Sequence, residues 1–129
     1  MAKVTVRQPA LEWFFEKYPS ITEHVIASKF YSSEKSWSNS RVWFFQVPLS
    51  LVEPNKIKHI HLVCQNQLNG EPFLYFKVPT LFLLRNESFF EIDRKTKNIK
   101  LYLSAESFDL YKEVKKGGKI DFSSFLQQG

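Results

Sequence analysis

The chain of 129 residues is expected to fold as a single α+β domain, residues 1–129. Its sheet should be a mainly antiparallel five-stranded meander, with two N-terminal helices and one C-terminal helix. Three observations carry that expectation. Apolar residues recur at helical spacing near the N-terminus. Five short segments between Arg41 and Leu103 carry strand patterning. The connections between those segments are mostly too short for parallel crossovers, which favours a meander. The length suffices for one apolar core without a metal or disulfide, and no repeat, linker or low-complexity tract divides it.

The first helix is expected over Pro9–Tyr18, where Leu11, Phe14, Phe15 and Tyr18 follow the i, i+3, i+4, i+7 spacing of a buried face. Pro9 suits the first turn and Pro19 ends it. Ser20-Ile21-Thr22-Glu23 then has the form of a capping box, so a second helix is predicted to run to about Phe30. Residues 32–40 form a serine-rich loop around Trp37.

Arg41–Val47 is the first strand, apolar on both parities as in a strand covered on both faces. Ile57–Cys64 is the second, with Ile60, Leu62 and Cys64 on one face and His59, His61 and Val63 on the other. Asn69-Gly70 marks a tight turn into Phe73–Val78. A short helix is expected over Pro79–Arg85. Phe89–Asp93 and Ile99–Leu103 then form a hairpin about Arg94–Asn98, with Phe90, Ile92, Ile99, Leu101 and Leu103 facing inward. Ser104 would cap a last helix carrying Phe108, Tyr111 and Val114, stopped at Gly117. Ile120, Phe122, Phe125 and Leu126 tie the tail to the core.

Charge is distributed unevenly. Residues 1–93 hold ten Lys/Arg against nine Asp/Glu, whereas residues 94–119 hold eight against three. The net charge of +5 therefore sits in one stretch, and such a focus favours a polyanionic partner. Aromatic residues make up 16% of the chain, enough that some rings are expected at the surface. Cys64 is the sole cysteine, which excludes an internal disulfide. The N-terminus lacks the apolar run of a signal peptide, and no apolar segment is long enough to span a bilayer. A reducing, cytoplasmic location without membrane contact is the expectation.

These features point to a small basic binding module for DNA or RNA. The expected contacts are Arg94, Lys95, Lys97, Lys100, Tyr102, Tyr75, Lys77, Lys115, Lys116 and Lys119. Rings interleaved with cations on an open sheet face stack bases and pair phosphates. On a single meander that face would also show His59, His61 and Phe73, unless the N-terminal helices lie over it. Asp93-Arg94-Lys95 matches the (D/E)-x-K core of Mg²⁺-dependent nucleases, so Asp93 and Lys95 are weak candidate catalytic residues, although a charged hairpin end is the better account of them. His59 and His61 share a strand face, but Cys64 has the opposite parity and no further ligand motif exists, so no metal or cofactor is expected. A protein-interaction role without nucleic acid is the third class, and oligomeric state is not legible.

Overall fold

The computed structural model describes residues 7–21, 24–31, 41–53, 57–65, 72–106, 110–115 and 118–127. Among them are two helices, α1 (Arg7–Lys17) and α2 (Thr80–Arg85). The strands are β1 (Val25–Ala27), β2 (Lys29–Tyr31), β3 (Val42–Pro48), β4 (His59–Gln65) and β5 (Phe73–Pro79). They continue with β6 (Glu91–Asp93), β7 (Asn98–Ser104), β8 (Lys112–Glu113), β9 (Ile120–Asp121) and β10 (Leu126–Gln127). None of the helices is long and apolar enough to cross a membrane.

The α+β class is as expected, but the strands form two sheets and not one meander. A four-stranded sheet has the order β1-β4-β5-β10. A six-stranded sheet has the order β2-β3-β7-β8-β9, with β6 beside β8 on the same side of β7. All ladders are antiparallel except β1 on β4.

One face of each sheet turns inward. Trp43, Phe45 and Val47 of β3, with Ile99, Leu101 and Leu103 of β7, meet Ile60, Leu62 and Cys64 of β4 and Phe76 and Val78 of β5. Leu83, Phe90 and Phe122 close the same core. Each such side chain contributes about 1.5–3 kcal/mol by leaving water, so this layer dominates the stability of the fold. The indole of Trp43 keeps its donor satisfied, because Nε1 donates to the Gln65 carbonyl at 2.9 Å. Helix α1 covers the other face of the four-stranded sheet, where Ala10 and Phe14 pack on Val63 and Tyr75.

Segments that change sheet join the two layers at their sides. β1 lies in the four-stranded sheet and β2, one residue later, in the six-stranded one. At the other side β9 belongs to the six-stranded sheet and β10 to the four-stranded one.

Two predicted helices are strands or turns instead. Over Ser20–Phe30, residues 22–23 of the capping box lie outside the described residues, and His24 stands at φ 64°, which breaks any helix through it. Beyond it, Ile26 faces the central core while Val25 and Ala27 face α1, the alternation of a strand. At Ser104 the hydroxyl does cap, but it accepts the Glu106 N–H at 3.0 Å in a turn. The chain returns to the sheet, with Tyr111 N–H donating to the Ser104 carbonyl and Val114 N–H to that of Tyr102. Trp37, Asn69-Gly70, Phe108 and Gly117 lie outside the described residues.

Candidate nucleic-acid interface

The outer face of the six-stranded sheet gathers most of the predicted contacts. On β3 the residues alternating with the core set are Val42, Phe44 and Gln46, and on β7 they are Lys100, Tyr102 and Ser104. The β3–β7 register places Phe44 opposite Tyr102 and Gln46 opposite Lys100, and β6 places Glu91 on the far side of Lys100. The rings of Phe44 and Tyr102 stack with centroids 4.7 Å apart and planes 29° apart. Lys115 Nζ lies 5.2 Å from the Tyr102 ring centroid, within cation–π range. It also stands 3.7 Å from Glu91 Oε1, while Lys100 Nζ stands 3.4 Å from Asp93 Oδ2. The Tyr102 N–H donates to the buried Glu113 carboxylate at 3.0 Å, which fixes the backbone under the ring.

Arg94, Lys95 and Lys97 are exposed on the turn between β6 and β7. Asp93 builds that turn, since its Oδ1 accepts the N–H of Lys95 at 3.0 Å and of Thr96 at 3.2 Å. The Thr96 backbone donor foremost, with those of Lys95 and the Lys100 ammonium, holds the Asp93 carboxyl below its usual range. Lys97 completes the turn at φ 59°, and its carbonyl accepts the Leu49 N–H at 2.9 Å. The Asp-x-Lys spacing is thus accounted for by turn chemistry. Among the described residues, no group of three or more His, Cys, Asp or Glu is placed to hold a metal ion. Of the two acids upstream of Asp93, Glu87 sits in the short helical turn Glu87–Phe89 and Glu71 lies outside the described residues.

Two of the predicted contacts lie elsewhere. Tyr75 and Lys77 belong to the far face of the four-stranded sheet, on the opposite side of the molecule from Tyr102. Lys77 is exposed there, but Tyr75 is only 2% exposed, wedged edge-on against Phe14 at 4.8 Å and Tyr18 at 4.9 Å. The single aromatic-basic face joining Tyr75 to Tyr102 is therefore corrected. The cause is that the sheet is split in two and α1 lies on one half. Lys119 is exposed just before β9, and Lys116 lies outside the described residues.

The histidines also sit differently. His61 is buried, and its Nδ1 lies 2.7 Å from the Tyr75 hydroxyl. Burial first, then the charges of Lys77, His59 and His24, bring its pKa down to about 4. His24, expected on a distant helix, instead accepts the His61 N–H at its carbonyl, 3.0 Å away, beside β4. Cys64 is buried in the core, and burial pushes its thiol up, as for inert packing.

Two residues of the face were not singled out in the sequence, Phe44 and Gln46. With Ile26 and Ala27 they line a groove of about 220 Å³. The signal was present in the parity of β3, but apolar residues at both parities from Val42 to Phe45 hid it. A second cleft, of about 420 Å³, is lined by Glu87, Ser88, Phe90, Ile92 and Arg94. Comparison with family models, with curated proteins and with solved structures finds no match.

Proposed function

We propose that this chain is a small nucleic-acid-binding module that meets the polynucleotide with the outer face of its six-stranded sheet and the Arg94–Lys97 turn. The observation that carries the reading is the Phe44–Tyr102–Lys115 stack set among Arg94, Lys95, Lys97 and Lys100. Arg94, Lys95, Lys97, Lys100 and Lys115 stand here against Glu91, Asp93 and the buried Glu113 beneath Tyr102. The paired lysines are not removed from play, because surface ion pairs are worth only about 0–1 kcal/mol and exchange readily for phosphate. Three cations on an exposed turn, beside a partly exposed Tyr102 that packs on the buried Phe44, suit a phosphate chain.

Binding of this kind is driven by counterion release, so it is weak and steep in salt. Neutralising about four phosphates gives a slope of log K against log salt near −3 to −4. Fluorescence anisotropy of a labelled oligonucleotide, titrated at about 50 and 200 mM salt, tests this directly. The expected result is an affinity that falls about a hundredfold across that range. Absence of binding even at the lower salt overturns the reading.

A further inference from the structure

Helix α1 is held by a small hydrophobic cluster of its own. The buried members are Ala10 and Phe14 from the helix and Val63 and Tyr75 from the sheet beneath it, apart from the central core between the two sheets. Among the described side chains of α1 only Ala10 and Phe14 are buried. A helix of 11 residues is also marginal in water without the surface it packs on. Lifting α1 therefore opens this cluster and leaves the central core closed, which is the pattern of a local opening rather than of global unfolding.

Imidazoles are grouped under that helix. The His61 ring lies with its centroid 5.9 Å from that of Phe14 and its Nδ1 2.7 Å from the Tyr75 hydroxyl. Lys77 stands directly opposite His61 in the β4–β5 register, and His59 projects from the same face of β4 two residues earlier. The His24 carbonyl accepts the His61 N–H, which sets a third histidine beside the other two. Tyr18, packed edge-on against Tyr75, completes the surroundings. The charges that act on His61 are those of Lys77, His59 and His24, all of one sign. Glu12, Glu16 and Lys17 of α1 are exposed and are not among them. We propose that α1 is an acid-released strap: protonation of His61 beside Lys77, His59 and His24 lifts the helix from the four-stranded sheet and uncovers Val63 and Tyr75. The strap lies across the molecule from the basic turn and does not rest on the nucleic-acid reading.

Covered by α1, His61 is held at about 4, against about 6.5 for a free imidazole. Once the helix lifts, the ring meets water and regains the higher value. Between the two values the open form binds a proton that the closed form refuses, so acid favours opening, by about tenfold or more between pH 7.5 and pH 5. Native-state hydrogen exchange of α1 and β7 amides at these two pH values, corrected for the intrinsic exchange rate, tests the strap. The α1 amides are expected to be protected at least about tenfold less than those of β7 at both pH values, because they exchange through a local opening. Their protection is expected to fall about tenfold or more on going to pH 5 in the wild type, and about twofold or less in His61→Gln, which does not titrate. Equal protection of α1 and β7 overturns the strap, since the helix then opens only with the whole molecule. Protection of α1 that ignores pH, or that falls as far in His61→Gln as in the wild type, overturns it as well. The two wild-type comparisons decide the matter even if the variant fails to fold.

Discussion

At the residue scale the pair His61 and Tyr75 carries the clearest consequence. The two polar atoms are 2.7 Å apart under α1, and both residues are held neutral. Burial first, with the neighbouring Tyr18 phenol, pushes the Tyr75 hydroxyl up to about 12, while burial with Lys77, His59 and His24 brings His61 down to about 4. The proton between them belongs either to the Tyr75 hydroxyl or to Nδ1–H of His61, according to the imidazole tautomer, and in both cases the ring is neutral. In the unfolded chain His61 returns to an ordinary pKa near 6.5, as for any free imidazole. Between these values the unfolded state binds a proton that the folded state refuses, so stability is full above the unfolded value and falls as pH drops towards the folded one. His59, whose pKa is lowered mainly by burial, acts in the same direction. Urea unfolding of the wild type is expected to show a lower midpoint at pH 5 than at pH 7.5. His61→Gln, which keeps a polar partner for Tyr75 but does not titrate, is expected to flatten much of that difference. An unchanged pH dependence in the variant would show that His61 is not held neutral by this site.

At the element scale the β6–β7 turn separates stability from binding. Lys97 occupies the left-handed region at φ 59°, where a Cβ crowds the following carbonyl. Glycine removes that crowding, so Lys97→Gly is expected to raise stability by about 0.5–1 kcal/mol after the entropic cost of glycine is deducted. The same change deletes one phosphate contact, so the variant should melt higher yet bind an oligonucleotide less tightly, with a salt slope shallower by about 1. Thermal melting and anisotropy on one preparation check both directions. Elements differed in how far residues announced them. The spacing of Leu11, Phe14, Phe15 and Tyr18 located α1, and Pro19 set its end, yet the buried stripe runs one step round the helix through Ala10 and Phe14 while Phe15 is 37% exposed. The hairpin was legible because Asp93 and the cations after it have turn chemistry. The segment from Ser20 to Phe30 was not, because a capping box is a local signal. The left-handed His24 and the long-range pairing of Val25–Ala27 with His61–Val63 decide the matter instead.

At the scale of the whole molecule, the two sheets turn their inner faces to one core, so their outer faces look in opposite directions. That arrangement divides the candidate contacts, which a one-sheet model placed together, into two sets with different fates. Arg94, Lys95, Lys97, Lys100, Tyr102 and Lys115 gather at the six-stranded sheet, while Lys77 and the buried Tyr75 lie across the core. Parity along each strand was readable from sequence, but sheet membership was not, because it depends on segments such as β1–β2 and β9–β10 that change layer. The division makes a directional prediction. Lys95 and Lys97 reversed together to Glu replace two favourable phosphate contacts by repulsion on the proposed face, and affinity for an oligonucleotide at low salt is expected to fall by more than about tenfold. Lys77→Glu alters the net charge with the same sign, but on the face covered by α1, and binding is expected to change by no more than about twofold because salt screens the intervening distance. All three positions are exposed, so the folds are expected to survive. Matching the comparison for charge requires a single reversal, Lys95→Glu alone, measured beside Lys77→Glu at pH 7.5 and one ionic strength. If Lys77→Glu weakens binding as much as Lys95→Glu, the polynucleotide responds to overall charge and not to one face. If Lys95→Glu alone is strongly impaired, the basic turn above the Phe44–Tyr102 stack is where the chain meets its partner.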